Sequence, residues 1–475
     1  VKHRNKTVIL ENVLVEDYAA EGKSLARVNG KVIFIENAVP GDVADVRLHK
    51  NKKDWAEGEA IQFQSYSKDR VDPFCSHFGV CGGCQWQMLP YAQQLVYKQK
   101  QVADNLQRIG KVELPAINPI IGCDNTTCYR NKMEYTFSNK KFIPSDEFKL
   151  MRENGGFDTD TPQGFGGFHA KGIFDKVVEI DICHLQREPT NKIRKAIAAF
   201  GRQNNTQFYD ARLHTGWLRN VLVRTAETGE LMVNVVLGYE DVALRKELLD
   251  EIMQQFPEIT TLVYTINTKW NDSIFDIEPQ VYFGKGYILD RLEEFTFKIS
   301  PKSFFQTNTL QAEKLYTVTR EYAALNGSQT LYDLYCGTGS IGIFASRQAK
   351  KIIGVDVVVD AIADAKENAQ LNNIDHAVFY AGDVINVCDD AFFSQNGKPD
   401  VVITDPPRAG MHEKLVNKLL EMAAPLMVYV SCNPATQARD LALLGEKYSV
   451  EKIQPVDMFP HTHHIENVVQ LKLRG

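Results

Sequence analysis

From residue 330 onward the chain alternates short apolar strands with polar helices, and that rhythm restricts what it can become. TLYDLYC leads through a glycine-rich turn into SIGIFASRQAK. KIIGVD leads into DAIADAKENAQLNN, and HAVFYAGD follows. DVVITD precedes EKLVNKLLEMAA, and LMVYVSC precedes ATQARDLALLG. Such alternation implies an α/β fold, a parallel sheet with helices on both faces. The last two strands, VEKIQPVDMF and HIENVVQLKLRG, have no helix between them and predict an antiparallel edge.

The preceding residues read differently. Residues 3–65 form several short strands punctuated by EGKS, NGK and VPGD, the pattern of a small OB-like barrel. Residues 91–110 form a polar helix ended by Gly110, part of which can pack against the C-terminal domain. Residues 128–290 mix strands and helices, with a hairpin around Glu227–Gly229 and a helix at KELLDEIMQQF. The expected domains are 1–66, 67–290 and 291–475, consistent with 475 residues. No stretch reaches the ~20 apolar residues of a membrane span, so no membrane contact is expected. The opening VKHRNKTVIL lacks a long apolar segment, so a cytoplasmic location is expected. In that reducing compartment nine cysteines, three of them between 75 and 84, point to metal or catalysis rather than disulfides.

In an open parallel sheet, ligands bind at the carboxyl ends of the strands. Four such ends carry informative residues. Asp333-Leu-Tyr-Cys-Gly-Thr-Gly-Ser340 places Gly337 and Gly339 at a tight turn before a helix N-terminus. Asp356 ends KIIGVD, where an acid can accept both ribose hydroxyls. Asp383 is placed to meet an adenine edge, and Asp405 opens Asp405-Pro-Pro-Arg408. The lone GxG is weak by itself. With Asp356 and the closing strand pair, the whole resembles a class I S-adenosylmethionine-dependent methyltransferase. NAD is the rival cofactor, but doubly wound NAD folds do not usually end in such a pair.

Strand LMVYVS delivers Cys432 to the same rim, where a thiol can be activated. A buried structural cysteine is the commoner fate of such a residue. Glu466, in His461-Thr-His-His-Ile-Glu466, begins the last strand and can return to that rim as a base. The histidines alone read as a solvated turn or, less well, a metal site. A thiol and a carboxylate together suit one reaction. Carbon 5 of uracil is a poor nucleophile until a thiolate adds at C6. A base must then remove the C5 proton so that the thiolate can leave.

Ser303-Phe-Phe-Gln306-Thr-Asn308, Asp333-Leu-Tyr335-Cys-Gly-Thr-Gly, Asp405-Pro-Pro-Arg-Ala-Gly410, Ser-Cys432-Asn-Pro and His-Thr-His-His-Ile-Glu466 occur in order across the C-terminal domain. In these motifs the chain resembles the RNA uracil-5-methyltransferase family. The resemblance implies Cys432 as nucleophile, Glu466 as base, and Gln306, Tyr335, Asp356, Asp383 and Asp405 around the cofactor or the reacting base.

Cys75, Cys81 and Cys84 stand as C-x5-C-x2-C, and Cys183 offers a fourth thiolate. Spacing alone leaves zinc and an iron–sulfur cluster open. The run Cys75-Ser-His-Phe-Gly-Val-Cys81-Gly-Gly-Cys84-Gln-Trp-Gln resembles the cluster-bearing branch of the family, which implies [4Fe–4S], an N-terminal TRAM barrel and 23S rRNA as substrate. Cys123, Cys128, Cys336 and Cys388 read as structural.

The net charge of −6 means that RNA must be met by a local basic patch. Two segments mix cations with aromatics: Arg47–Lys53 with Trp55, and Tyr129–Phe137 continuing to Lys141. On its own, the first segment reads better as a solvated hairpin tip. A flipped uridine is the expected target and a monomer the expected state. The rivals are the same chemistry on tRNA, against which the barrel and the four cysteines argue, an N-methyltransferase using Asp405-Pro-Pro, and a radical S-adenosylmethionine enzyme. The last would leave one iron without a protein ligand, which the fourth cysteine opposes.

Overall fold

A computed structural model describes residues 8–153 and 164–475; residues 1–7 of the expected barrel and 154–163 of the expected central domain lie outside the described residues. β1 (Val8–Leu14), β2 (Asp17–Tyr18), β3 (Ser24–Val28), β4 (Lys31–Glu36), β5 (Val43–Asn51) and β6 (Trp55–Ser65) form one sheet in the order β1-β5-β6-β4-β3-β2. Only Val15 and Glu16 separate β1 from β2, yet the two stand at opposite edges. The sheet therefore rolls into a barrel, filled by Val13, Ala26, Ile33, Ile35, Val46 and Ala56.

The middle of the chain contributes α1 (Tyr91–Asn105), β7 (Lys132–Ser138), α2 (Ser145–Glu153), β8 (Phe165–His169), β9 (Val177–Glu179), α3 (Thr190–Gln203), β10 (Leu218–Thr225), β11 (Leu231–Leu237), α4 (Val242–Gln255), β12 (Thr261–Ile266) and β13 (Gln280–Phe283). Its seven strands run β13-β12-β11-β10-β7-β8-β9. β10 and β11 are the expected hairpin, with Thr225 opposite Leu231 and Gly229 at φ +86°. α4 carries the chain from β11 to the parallel β12. Ile193 and Ile197 of α3 and Leu248, Leu249 and Ile252 of α4 close the core.

The last part holds β14 (Ile288–Leu292), β15 (Phe295–Ile299), α5 (Thr309–Ala323), β16 (Thr330–Leu334), α6 (Ser340–Ala345), β17 (Lys351–Asp356), α7 (Val359–Leu371), β18 (Ala377–Ala381), α8 (Val384–Val387), α9 (Asp390–Asn396), β19 (Val401–Thr404), α10 (Glu413–Met422), β20 (Leu426–Ser431), α11 (Pro434–Leu444), β21 (Tyr448–Val456) and β22 (Glu466–Leu473). The sheet order is β18-β17-β16-β19-β20-β22-β21. β22 runs antiparallel to both neighbours, as the helix-free ending predicts. Leu331, Leu334, Ile353, Val355, Val402, Ile403, Val428 and Tyr429 are fully buried. Each aliphatic side chain so buried stabilises the fold by about 1.5–3 kcal/mol. α1 packs here rather than on the middle sheet: Val102 and Leu106 share a core with Leu334 and Tyr429. Ile117 and Ile121 then bridge to Ile453 and Val456, lengthening the sheet edge. Among the described residues no helix is long and apolar enough to cross a membrane.

Candidate active site

The chain leaves β16 toward β17 and β18, and leaves β19 toward β20 on the other side. Their carboxyl ends therefore border a crevice. Tyr335 follows β16 in the left-handed region (φ +61°), and Gly337 and Gly339 (φ +53° and +75°) turn the chain into α6. The Gly337 N–H donates to Asp356 Oδ2 at 2.9 Å, and the Val358 N–H donates to Oδ1 at 2.8 Å. Each carboxylate oxygen keeps a lone pair for a hydroxyl. Asp383 caps α8 through the Ile385 N–H. Its charge and that of Asp356 reach Tyr335, adding to the burial that raises the phenol. Gln306 is buried on the segment before α5. On that segment the Phe304 carbonyl accepts from Thr338 of the glycine-rich turn.

Cys432 follows β20 and precedes α11, whose N-terminus Asn433 caps and Pro434 starts. Ser431 pairs with Asn467 across β20 and β22, so the next step along the ladder sets Cys432 beside Glu466. Burial pushes the Cys432 thiol up to about 12, the Glu466 and Asp405 charges add, and Arg408 opposes. Burial also holds Glu466 well above the usual carboxylate range, with Asp405 adding and Arg408 again opposing. Asp405 itself is pushed up to about 7 by burial. Deep in the crevice Asp333 accepts from the Gly342 N–H and is likewise pushed up to about 7. Burial thus disfavours charge on the thiol and the carboxyls, and Arg408 opposes that effect at Cys432 and Glu466.

Cys432 opens on a cavity of 730 Å³ walled by all three parts of the molecule. Arg408, Asn433, His463 and His464 line it from the C-terminal part, Cys81, Gly82 and Cys84 from the cysteine loop, and Gly22, Lys23 and Asn37 from the barrel. A second cavity of 610 Å³ is lined by Cys75, Cys81, Cys84 and Cys183 together, with Arg130 and Lys132. Four thiols around one space are a donor set suited to a multi-thiolate group. Among the described residues no three Cys, His, Asp or Glu side chains are disposed to hold a single ion.

Other expectations need correction. Tyr135 and Phe137 are buried because β7 is a central strand and alternate residues enter the core, and Tyr129, on the segment before it, is buried with its hydroxyl donating to the Pro460 carbonyl. They offer no stacking surface; Arg130 and Lys132 are half-buried, and the exposed residue of β7 is Glu134. In Arg47–Lys53, Arg47 pairs with Glu59, His49 and Lys50 pair with Glu57, and Lys50 lies over Trp55. Part of the tip's charge is thus met within the barrel, while Lys52 and Lys53 stay exposed. The histidine run is no solvated turn: burial drives His461 and His463 down to about 4 and His464 to about 3. Cys336 and Cys388 are buried, but Cys128 is exposed. Arg408 is the functional candidate that sequence reading passed over, although it stands in the Asp405-Pro-Pro-Arg408 motif.

Comparison with known proteins identifies the family and the fold. Residues 393–474 match the family model described as tRNA (Uracil-5-)-methyltransferase, 10–61 a TRAM domain, and 315–428 a methyltransferase small domain. A protein of Bacteroides thetaiotaomicron named as an uncharacterized RNA methyltransferase is 51% identical over 96% of this chain and 100% of its own length. One of Porphyromonas gingivalis with the same name is 48% identical over 96% and 98%. Among solved structures, the tRNA (uracil-54, C5)-methyltransferase of Pyrococcus abyssi, in complex with S-adenosyl-L-homocysteine, superposes with a TM-score of 0.73 and 28% identity. That likeness covers 97% of this chain and all of the other.

Proposed function

Because this chain belongs to the RNA uracil-5-methyltransferase family, we propose that Cys432 is its nucleophile and Glu466 its base, acting on a uridine of 23S ribosomal RNA. The observation that carries this reading is the β20–β22 ladder, whose last pair Ser431–Asn467 immediately precedes Cys432 and follows the buried Glu466, with Cys432 opening on a cavity that all three parts of the molecule enclose. A uracil flipped out of its stack could fill such a space.

Gln306, Tyr335, Asp356, Asp383 and Asp405 surround the cofactor or the reacting base. S-adenosylmethionine, when bound, supplies the methyl group. Cys432 loses its thiol proton to solvent water, and the thiolate forms a bond from sulfur to C6, which moves the C5=C6 electrons onto C5. C5 bonds to the methyl carbon as that carbon's bond to the sulfonium sulfur breaks, leaving S-adenosylhomocysteine. Glu466 takes the C5 proton, the C5=C6 bond reforms, and the carbon–sulfur bond breaks to return the thiolate. Arg408, which opposes both upward shifts, favours the thiolate at the first step.

Cys75, Cys81, Cys84 and Cys183 would hold a [4Fe–4S] cluster, with zinc the alternative for the same thiolates. Such a group would cross-link the 75–84 loop to the segment at Cys183. Methyl transfer moves no net electron, so the proposed role is structural.

A second substrate reading has its own support. The full-length likeness to the archaeal tRNA enzyme extends over the barrel, so the barrel does not separate rRNA from tRNA. The 23S rRNA reading rests on the cysteine run; a cytoplasmic monomer is proposed alongside it. Mass spectrometry of the protein with S-adenosylmethionine and RNA containing 5-fluorouridine tests the chemistry. A methylated adduct at Cys432 is expected, and its absence overturns the reading. Methyl incorporation into separated 23S rRNA and tRNA decides the substrate.

A further inference from the structure

The loop between β21 and β22 leads directly to Glu466, and its backbone is held from outside its own sheet. Five consecutive carbonyls each accept from a different segment. The Asp457 carbonyl accepts from the Cys123 thiol at 3.1 Å and that of Met458 from Asn308 Nδ2 at 2.9 Å. Phe459 accepts from Lys98 Nζ at 3.0 Å and Pro460 from the Tyr129 hydroxyl at 3.1 Å. His461 accepts from the backbone N–H groups of Gln85 and Trp86. A surface turn would leave most of these groups to water.

The strongest attachments come from one stripe of α1. Tyr91, Gln94 and Lys98 stand at helical spacing on one face. Gln94 and Lys98 have no solvent exposure. Lys98 Nζ lies 2.6 Å from Asp457 Oδ1, and both side chains are fully buried. The Tyr91 hydroxyl donates to the other Asp457 oxygen at 2.9 Å. Gln94 accepts from the His461 N–H at 2.8 Å and its amide nitrogen lies 3.2 Å from His461 Nδ1. His461 has φ +66°, a conformation a non-glycine residue keeps only when held. At the next turn the barrel presses in: a side chain at Gly22 would come within 2.9 Å of His463 Cβ.

We propose that Tyr91, Gln94 and Lys98 are positioning residues for the catalytic base, setting where Glu466 stands by fixing the backbone from Asp457 to His461. The proposal rests on the assignment of Cys432 and Glu466 above. It predicts a split between the two halves of the reaction. Addition and methyl transfer need the sulfur and the cofactor. Proton removal alone needs the loop in place.

The test uses Tyr91→Phe, Gln94→Leu and the charge-neutral pair Lys98→Met with Asp457→Asn, in the full chain, with Glu466→Gln as reference. Adduct formation on 5-fluorouridine RNA reports the first half, since no C5 proton need leave. Turnover on ordinary uridine RNA reports both halves. Turnover should fall about tenfold or more, while adduct formation stays within about threefold. A methylated covalent protein–RNA complex should accumulate on ordinary RNA, as for Glu466→Gln. Equal loss of both rates, or loss of neither, overturns the proposal. Tyr91→Phe removes one hydroxyl and carries the test should the double variant fail to fold. If the unaltered protein forms no adduct at Cys432, the parent assignment fails instead.

Discussion

Two groups of cysteine chemistry share one groove, and they are built by opposite means. Cys432 ends a buried strand, and a β-ladder fixes its distance from Glu466 through the pairing of Ser431 with Asn467. Cys75, Cys81, Cys84 and Cys183 sit on loops, with the Cys81 segment bridged to Ala170 beside β8. Burial raises Cys432 and, on the loops, Cys81, Cys84 and Cys183. Their neighbours differ: a guanidinium and two carboxyls beside Cys432, other thiols beside Cys84. A lone thiol among proton-exchanging groups suits reversible covalent chemistry. A ring of thiols suits a shared ligand. The ladder positions Cys432 by regular strand pairing, whereas the cysteine loops are held by scattered contacts such as the Cys75 N–H on Gln87 and the Cys183 N–H on Asn191. Cys81 and Cys84 line both cavities, so the two regions share a wall.

The sharpest way to break this contrast is to remove each sulfur in turn. Cys432→Ala should lower methyl transfer to uridine by at least about a thousandfold, with an unchanged melting temperature, because the strand end keeps its backbone pairs. An N-methyltransferase using Asp405-Pro-Pro would keep its activity, and retention of methyl incorporation would refute the nucleophile. Cys183→Ser should do the reverse. Loss of one thiolate from a bound group should lower thermal stability by several degrees and weaken RNA binding. Unchanged melting and RNA affinity would show that the second cavity holds nothing structural.

A change of pH sharpens the same comparison. With its thiol pushed up to about 12, Cys432 is protonated at neutral pH. The thiolate fraction then grows about tenfold per pH unit below that value. Adduct formation on 5-fluorouridine RNA should rise from pH 6 to 9, with a slope near one where addition limits the rate. A rate that is flat or falls as pH rises would place the controlling proton elsewhere.

Legibility followed the kind of order involved. The C-terminal sheet could be read because its strands are apolar on both faces and its helices fill the gaps, and the helix-free ending gave the antiparallel β22. The placement of Cys432 and Glu466 follows from that topology. The stripe of α1 could not be read, because a buried Lys98 looks like any exposed lysine on a polar helix, and its partner Asp457 lies 359 residues away. Nor could the cation–aromatic segments be judged. Whether Tyr135 stacks on a base or fills a core depends on β7 being central in its sheet, which is a long-range property.

The barrel tip shows the same limit on the smallest scale. Arg47, His49 and Lys50 supply, with the exposed Lys52 and Lys53, the basic look of this segment, yet the first three already face Glu57 or Glu59. Exposed pairs of this kind contribute about 0–1 kcal/mol, and their charge is largely spent before RNA arrives. Lys50→Ala should therefore change RNA affinity by less than about twofold and leave the salt dependence of binding nearly as it was. Arg130 makes the contrasting case: it lines the four-cysteine cavity and lies over the Phe459 ring 5.9 Å from its centroid. Arg130→Ala should weaken binding and reduce the slope of log affinity against log salt by about 0.7, the loss of one phosphate contact to a single strand. If Lys50→Ala weakens binding as much as Arg130→Ala, the barrel tip contacts RNA after all, and RNA has displaced Glu57 from its cations.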